Sequence, residues 1–324
     1  MVAPFVKSKD ILRDKLVVVL GGGGFFGRHL SQALLERGAR LRIVGRHVER
    51  AYAVKALANL GQAQFVRADV TKPERLPSLL AGADAVVNLV GAFAGDLDAV
   101  QGKGAGQIAE AAKAAGIRAL VHVSAIGADA ASPIVYARTK AEGEAAVLAG
   151  FPQATVLRPS ILFGPDDNFV IRFAGLVSMK FLPVFAPEAK LQPLFIDDAA
   201  EAVVSALADP ATHGGKIYEI AGPEVVSMLE FTQAIAKAAG RRPTLLPLPD
   251  ALSGLIAALP GTPISSAQFK LLKAGSVAPG SLPGLAELGV AARPMGLFLD
   301  RWLLRFQERG RFGAKVGIIQ AGQN

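Results

Sequence analysis

The chain has no cysteine among its 324 residues. This absence excludes a disulfide-stapled scaffold, a thiolate nucleophile and any metal site with cysteine ligands, and it is typical of a reducing compartment. Histidine is also scarce, and the four histidines are scattered without a pair at metal-ligand spacing. We therefore predict no metal site.

Long apolar runs are missing as well. Lys180 interrupts the run 177–185, and Pro260 ends the run 252–259, whereas a membrane-spanning helix needs roughly 20 apolar residues. Residues 1–15 carry mixed charge and no apolar stretch of the kind that a secretion signal contains. We predict a cytoplasmic location, with a peripheral position on the inner face of the membrane as the alternative.

Charge of one sign is concentrated in two segments. Hydrophobic residues make up 51% of the chain and charged residues 19%, which supplies a core and argues against disorder. The formal net charge is +8, and residues 37–50 and 293–315 contribute +4 each. Such segments suit nucleic acid, an anionic membrane or a phosphorylated ligand, so each segment needs its own explanation.

Short apolar runs alternate with alanine-rich helical patterns from Leu16 to about Arg158. The runs are continuously apolar, as in strands that are covered on both faces, and strand–helix alternation indicates a doubly wound parallel sheet. The predicted strands are 16–20, 41–44, 63–66, 85–88, 119–123, 154–157, 191–196 and 216–220, and the principal predicted helices are 28–37, 98–115, 135–148, 198–207, 227–239 and 296–309.

A change of composition divides the chain, because proline and glycine become frequent after Pro159. We predict an α/β fold in two parts. Residues 1–160 form a doubly wound parallel Rossmann sheet that binds the cofactor, and residues 161–324 form a smaller C-terminal α/β subdomain. About 191–208 is expected to pack back on the sheet domain.

A glycine cluster lies between the first predicted strand and a helical pattern, and Gly21, Gly24 and Gly27 fit G-x-x-G-x-x-G. Without Cβ atoms the turn can tighten and its backbone can approach a pyrophosphate, whose charge a helix N-terminus favours. A merely structural turn is the alternative. We predict cofactor contacts from Gly21, Gly24, Phe25, Phe26, Gly27 and Arg28.

The end of the second strand distinguishes NAD(H) from NADP(H). Arg46 lies there, and a guanidinium binds a ribose 2′-phosphate that a carboxylate would repel. Arg46, with Arg50 or Arg28, therefore favours NADP(H); solvated arginines are the alternative. Asp69 is placed to accept a hydrogen bond from the adenine amino group. An ordinary turn or capping aspartate is the alternative. Further predicted cofactor contacts are Val70, Asn88, Val90 and Gly91.

A group of catalytic type follows the fifth strand. Ser124 ends that strand, and Tyr136 and Lys140 lie four residues apart on the next helix, which places both on one helix face. An ammonium there lowers the pKa of the tyrosine toward neutrality, and a serine hydroxyl can donate to a substrate carbonyl. We predict Ser124, Tyr136 and Lys140 as catalytic residues, the last two also touching the cofactor. A surface tyrosine beside a solvated lysine is the alternative.

Over residues 16–165, the glycine loop and the Ser/Tyr/Lys spacing resemble the short-chain dehydrogenase/reductase superfamily. This resemblance implies a nicotinamide cofactor and a catalytic triad. The chain departs from the pattern at Gln101, where extended members have an asparagine.

Residues 122–124, 157–169 and 192–198 resemble an atypical branch of that superfamily, which includes the nucleotide-binding accessory subunit of respiratory complex I. The resemblance reaches about Gly222. It implies tightly held NADP(H), often structural, beside quinone-handling membrane machinery; other relatives are linked to quinone biosynthesis or are reductases or epimerases. Arg158 and Pro159 are predicted to line the site, although Arg158 pairing with a local carboxylate is equally compatible. Asp198 and Glu201 also fit a helix capping box.

The last predicted helix combines apolar bulk with arginines, and it contains the single Trp. Such a helix can lie in an anionic bilayer interface, or it can pack its apolar stripe on the domain and leave the arginines in water. Nucleic acid is excluded as a partner, because no recognition fold is present. The residues concerned are Leu297, Phe298, Arg301, Trp302, Leu303, Arg305, Phe306 and Arg309.

Three functions remain open. The leading one is an NADP(H)-binding accessory or assembly factor linked to respiratory complex I or quinone metabolism, with peripheral membrane contact through the C-terminal basic helix. The second is a soluble NADPH-dependent reductase or epimerase that uses Tyr136 as acid/base, Lys140 to tune it and Ser124 to orient substrate. The third is a redox sensor that reads NADP(H) occupancy.

Overall fold

The structure is a computed structural model that describes residues 11–258 and 266–307. Within them the chain forms two compact units. The first contains residues 11–160, 196–221 and 278–292, and the second contains residues 161–195, 222–258, 266–277 and 293–307.

The helices and the strands are each numbered in chain order. The helices are α1 (Phe25–Leu35), α2 (Leu76–Leu80), α3 (Leu97–Gln101), α4 (Lys103–Ala114), α5 (Val135–Gly150), α6 (Asn168–Leu176), α7 (Ile196–Ala208), α8 (Pro210–His213), α9 (Met228–Ala238), α10 (Asp250–Ala257), α11 (Ser266–Ala274) and α12 (Leu299–Trp302). The strands are β1 (Leu16–Leu20), β2 (Arg40–Gly45), β3 (Ala63–Arg67), β4 (Ala85–Asn88), β5 (Ala119–Val123), β6 (Thr155–Pro159), β7 (Leu162–Phe163), β8 (Phe181–Val184), β9 (Lys190–Leu191), β10 (Leu194–Phe195), β11 (Ile217–Ile220), β12 (Val226–Ser227) and β13 (Thr244–Pro247). Short 3₁₀ helices cover Val48–Leu57, Pro73–Arg75, Ala286–Leu288, Met295–Leu297 and Leu303–Phe306.

The first unit is built on a seven-stranded sheet in the order β11-β6-β5-β4-β1-β2-β3, and every neighbouring pair is parallel. The order reverses between β1 and β4. In doubly wound sheets the crevice at that point, beyond the carboxyl ends of the strands, is where ligands bind. The predicted α/β fold with its parallel Rossmann sheet is confirmed.

The sheet is covered on both faces, which explains its continuously apolar strands. Val18, Leu20 and Val86 form one buried cluster with Ile108 of α4 and Val147 of α5. The alternate side chains of β1 are equally buried, and α1 packs against α7.

Three element predictions need correction. The helix expected over 98–115 is two helices, because the chain turns at Gly102 out of helical geometry (φ −87°, ψ −99°). The strand expected over 191–196 is replaced by two two-residue strands and the start of α7. Since α7 begins at Ile196, Asp198 lies inside its first turn and not at the residue before the helix, while Glu201 pairs with Arg37.

The second unit holds the predicted C-terminal helix, and here also the structure differs. Instead of one helix over 296–309 it has three short helical segments ending at Phe306, and residues 308–324 lie outside the described residues. Trp302 stacks on Phe298 with ring centroids 4.9 Å apart, and Leu299 and Leu303 are buried. The described tail therefore packs Phe298, Leu299, Trp302 and Leu303 within the unit, while Leu297 stays exposed. Over the described ranges, we find no helix with the length and apolarity to cross a membrane.

Candidate active site at the carboxyl edge of the sheet

The strand register brings the predicted site segments to one edge. Leu20 pairs with both Val44 and Asn88, and Asn88 pairs with His122. The glycine loop follows Leu20, the arginine segment follows Val44 and Gly45, and Ser124 follows His122 by two residues. These segments therefore meet where the sheet order reverses.

The glycine loop has the shape and the backbone donors of a phosphate cradle. Gly27 lies directly against the Cα atom of Gly22, so a Cβ atom has no space there. Gly24 is the N-cap residue of α1 and has no side chain that could accept from the first N–H groups of the helix. The first turn holds no acidic residue. The first N–H groups of α1 therefore remain for an anion. Phe26 is buried, so the group that it would offer to a cofactor is its backbone N–H.

Arg46 lies beside this loop. A Cβ atom on Gly23 would be 2.7 Å from the carbonyl oxygen of His47, which places the segment after β2 against the loop. The Arg46 side chain is exposed. The pKa of Asp69 is lowered mainly by hydrogen bonds from Thr71 and further by the charge of Arg46, so the two charges lie near each other.

Other arginines of the first basic segment have structural partners. Arg37 forms an ion pair with Glu201, and Arg42 donates to Gln64 and to the carbonyl oxygens of residues 79 and 81. Arg46 and Arg50 are exposed. The predicted phosphate-binding role therefore concerns a part of the segment and not its whole charge.

Asp69 makes the hydrogen bonds of a turn residue, which was the alternative to an adenine contact. Its Oδ1 accepts hydrogen bonds from the backbone N–H of Thr71 (3.1 Å) and from the Thr71 hydroxyl (2.8 Å). Val70, which follows it, is buried. These contacts fix the loop after β3 at the carboxyl edge of the sheet.

Asn88 and His122 form a buried pair under the site. Asn88 Oδ1 accepts from the backbone N–H of Val90 (3.0 Å), and Asn88 Nδ2 lies 3.1 Å from His122 Nδ1. Because an amide nitrogen only donates, we assign His122 Nδ1 as the acceptor and place the ring proton on Nε2. Burial, together with the charge of Lys140, lowers the pKa of His122 to about 3. His122, which the sequence did not single out as a site residue, is therefore a neutral structural residue. The Asn88 side chain binds His122 and the backbone N–H of Val90.

Lys140 is buried against the loop that follows β4. Its Nζ donates to the carbonyl oxygen of Val123 (3.1 Å), and a Cβ atom on Gly91 would be 3.3 Å from that Nζ. Burial lowers the pKa of Lys140 to about 8, although the charge of Glu144 acts in the opposite direction. Lys140 is therefore a desolvated ammonium at neutral pH, and the surface alternative does not describe it.

The pKa of Tyr136 shifts against expectation. Burial raises the pKa of Tyr136 to about 12, whereas the spacing of Tyr136 and Lys140 predicted a pKa lowered by the neighbouring ammonium. Lys140 Nζ lies 6.0 Å from the centre of the Tyr136 ring, and the loss of hydration outweighs its charge. The phenol is thus protonated at neutral pH, which suits a proton donor.

The Ser124 hydroxyl completes the group. It is buried, and its Oγ has no hydrogen-bond partner among the described residues. A buried hydroxyl costs free energy unless a ligand or an ordered water completes its bonding. Together with the glycine cradle, this supports the fit of a nicotinamide nucleotide and a carbonyl group.

Gln101 is the residue at which the chain departs from the pattern that its resemblance implied. Its buried side chain accepts from the backbone N–H of Ala92 (3.2 Å) and donates to the Thr139 hydroxyl (2.9 Å) and the Tyr136 carbonyl oxygen (3.4 Å). It therefore fastens the loop after β4 to α5 and holds Tyr136 in position.

Sequence reasoning missed Phe93. Its ring stacks on the ring of Tyr136, with centroids 4.9 Å apart and planes inclined by 12°, yet 60% of the residue remains exposed. The available signal was an isolated aromatic residue within Gly91–Gly95, next to the strand that precedes the site.

Arg158 is held by two carboxylates. Its guanidinium donates to Glu144 in a forked arrangement (2.7–3.2 Å) and to Glu219 (3.4 Å), and this is the local pairing that was the alternative to a site role. The Pro159 carbonyl oxygen accepts from the backbone N–H of Ile126 (3.0 Å). Both residues stabilise the end of β6.

Comparison with known proteins shows an NAD(P)H-binding domain in this chain. Residues 21–168 match a family described as NAD(P)H-binding. Subunit 9 of the mitochondrial NADH dehydrogenase (ubiquinone) 1 alpha subcomplex from Dictyostelium discoideum is 33% identical over 228 residues, which cover 68% of this chain and 63% of that protein. The chain thus spans less than two thirds of the length of that relative.

Two further relatives extend the comparison. The corresponding subunit from Mus musculus is 29% identical over 298 residues, covering 87% of this chain and 78% of that protein, so the similarity continues beyond Gly222. A ceramide reductase from Caulobacter vibrioides is 30% identical over 240 residues, covering 72% of this chain and 74% of that protein.

A solved structure supports the fold. A dTDP-glucose 4,6-dehydratase from Streptomyces venezuelae, with NAD and TYD bound, has a TM-score of 0.69 at 19% identity, and the match covers 89% of this chain and 95% of that chain. At this identity the likeness concerns the fold alone. Taken with the sequence relatives, it follows that the chain belongs to the NAD(P)H-binding, atypical short-chain dehydrogenase/reductase family that also contains the subunit 9 proteins of respiratory complex I.

Proposed function

We propose that the chain binds NADP(H) at the carboxyl edge of its sheet and reduces a carbonyl group with Ser124, Tyr136 and Lys140. The observation that carries this proposal is the unpartnered Ser124 hydroxyl beside a protonated Tyr136 and a buried Lys140. The glycine loop would hold the pyrophosphate and Arg46 the 2′-phosphate. Arg158 forms ion pairs with Glu144 (2.7 Å) and Glu219 (3.4 Å). We therefore leave it outside the proposed site.

Each of the three residues has a separate role in the proposed reduction. Bound NADPH would supply the hydride that forms the new C–H bond. Ser124 donates a hydrogen bond to the carbonyl oxygen as negative charge develops there, and Tyr136 transfers its phenolic proton to that oxygen. The Lys140 ammonium stabilises the resulting tyrosinate and the developing charge. The product is an alcohol.

Arg46→Ala is expected to weaken NADPH binding by about 10- to 100-fold and to change NADH binding by less than about twofold. The reason is the loss of a charge-assisted pair with the 2′-phosphate, a hydrogen bond to a charged group worth about 1.5–3 kcal/mol. Titration of each nucleotide by calorimetry at fixed ionic strength measures the effect.

Arg40→Ala is the matched control for Arg46. Arg40 is exposed and belongs to the same basic segment, but it begins β2 and so lies at the opposite edge of the sheet. Its removal changes the net charge equally and should leave both affinities unchanged. Equal losses for NADPH and NADH in Arg46→Ala would refute the 2′-phosphate assignment.

A second proposed role is that of an accessory or assembly factor of a respiratory complex. The observation that favours it is the 33% identity with a subunit of the mitochondrial NADH dehydrogenase. In that role NADP(H) stabilises the fold and the partner covers part of the chain. Affinity purification of the full chain from gently solubilised membranes tests this role: co-purifying respiratory subunits support it, and a chain recovered alone from the soluble fraction contradicts it.

A further inference from the structure

Two apolar segments adjoin Tyr136, one through the stacked ring of Phe93 and one because it directly precedes Tyr136 in the sequence. Residues 91–95 read Gly-Ala-Phe-Ala-Gly, and residues 133–135 read Pro-Ile-Val, so neither contains a polar side chain. Phe93 is 60% exposed and Val135 is 48% exposed. A single exposed apolar residue is ordinary, but Phe93 is stacked on the proposed proton donor, and Val135 precedes that residue at the start of α5.

The position of Phe93 is fixed by the protein. Its ring lies nearly parallel to that of Tyr136 at 4.9 Å, and the loop behind it is fastened because Gln101 binds the backbone N–H of Ala92. One face of the Phe93 ring is therefore used by Tyr136. The exposed remainder of the ring is available to whatever approaches the phenol.

A carbonyl group that reaches the Tyr136 hydroxyl approaches the ring on which Phe93 is stacked. Sugar or nucleotide substituents need hydrogen-bonding partners when they are desolvated, and residues 91–95 and 133–135 offer none from their side chains. An alkyl or isoprenoid chain instead gains free energy by covering Phe93 and Val135.

We propose that Phe93, with Val135, selects carbonyl substrates that carry a long apolar chain. This inference rests on the proposed reductase function, since it names the substrate class of the same site. Phe93 acts as a specificity-determining residue that contacts the chain, while Tyr136, Ser124 and Lys140 act on the carbonyl group.

The test measures equilibrium binding of methyl ketones from 2-butanone to 2-undecanone to the full chain saturated with NADP⁺, which prevents turnover. In the unaltered protein each added CH₂ group should raise the affinity by about three- to fourfold until the chain outgrows the site. Phe93→Ala should weaken binding of 2-undecanone by about tenfold or more and binding of 2-butanone by less than about twofold. Phe93→Leu, which keeps an apolar side chain, should restore most of the loss.

Leu60→Ala is the matched control for apolar surface. Leu60 is fully exposed in the turn before β3, at the opposite edge of the sheet, and its removal should not change ketone binding. NADP(H) affinity is measured for each variant in the same preparations. An affinity that does not depend on chain length, or tighter NADP(H) binding by Phe93→Ala, overturns the inference; the latter would mean that Phe93 occupies cofactor space.

The two proposals fail in different ways. Chain-length dependence that Phe93→Ala abolishes, without reduction of any ketone when NADPH is supplied, supports apolar recognition and contradicts the reductase function. Reduction of short and long ketones with equal KM supports the reductase function and overturns the role of Phe93.

Discussion

Tyr136→Phe is expected to lower the rate of NADPH-dependent reduction of a long-chain methyl ketone by about 10²- to 10⁴-fold, the usual contribution of a positioned general acid. The phenol is the proposed proton donor, and its pKa of about 12 keeps it protonated throughout the neutral range. Phenylalanine preserves the ring that stacks on Phe93, so the site keeps its shape. NADPH affinity should change by less than about fivefold, because the hydroxyl is one of several proposed cofactor contacts.

Tyr52→Phe provides the control, since it makes the same chemical change at a tyrosine that is 55% exposed and packs on Phe65. Its reduction rate should equal that of the unaltered protein. If Tyr136→Phe retains the activity, the assignment of the proton donor is wrong.

The pH dependence of kcat gives an independent test of the proposed proton transfer. With a pKa of about 8, Lys140 loses its ammonium charge as the pH rises through that value, whereas Tyr136 keeps its proton until about 12. We expect kcat to fall above about pH 8 in the unaltered protein. A rate that rises through this range would indicate that the tyrosinate is the active form, and would contradict the proposed direction of proton transfer.

The fold and the position of the site could be predicted because their signals are local in the sequence. Each central strand is a short apolar run that is buried on both faces, and the glycine cluster follows the first strand directly. Parallel strands place their carboxyl ends at one edge, so Ser124 and the glycine loop had to meet once the strand order was known. The structure brings them together through the register of β1, β4 and β5.

The electrostatics could not be predicted, because they depend on contacts between distant parts of the chain. The direction of the Tyr136 pKa shift is set by burial, to which the loop of Phe93 contributes, and that loop lies more than 40 positions earlier. Arg37 and Arg42 belong to a basic segment, yet Arg37 pairs with Glu201 and Arg42 binds carbonyl oxygens at the end of α2. A count of charges along the sequence cannot separate such structural arginines from Arg46.

Contacts between distant residues shape the described part of the tail, residues 293–307, and the sequence pattern did not reveal them. Arginines at spacings of four suggested one amphipathic helix, but Trp302, Phe298, Phe195 and Phe163 form an aromatic cluster in the second unit. The partners of Trp302 at Phe163 and Phe195 lie more than 100 positions away. Helical periodicity alone does not show where such partners are.

Lys140→Met is expected to raise the free energy of unfolding at pH 7 by up to about 3 kcal/mol. Burial lowers the pKa of Lys140 from 10.5 to about 8, so below pH 8 the folded protein carries an ammonium whose desolvation the single hydrogen bond to Val123 and the charge of Glu144 do not fully offset. Each tenfold change in proton affinity corresponds to about 1.4 kcal/mol. Methionine has a similar length, fills the same space and removes the buried charge.

The sign follows from the protons that each state binds. Between pH 8 and 10.5 the unfolded chain holds a proton on Lys140 that the folded chain has released, so this group makes the unaltered protein more stable as the pH rises through that window. The advantage of Lys140→Met should therefore be largest below pH 8 and disappear by about pH 10.5. Denaturant unfolding of the two proteins at pH 7, 9 and 10.5 measures it.

Lys55→Met separates this effect from the titration of ordinary lysines, because Lys55 is exposed on the 3₁₀ helix Val48–Leu57. It should show no comparable gain. A Lys140→Met protein that is less stable than the unaltered one at pH 7 would mean that the ammonium is stabilised in its site, and would remove the argument for a functional charge. A gain in stability that accompanies loss of ketone reduction instead identifies Lys140 as a charge kept at the expense of stability, which is expected of a group that serves catalysis or cofactor binding.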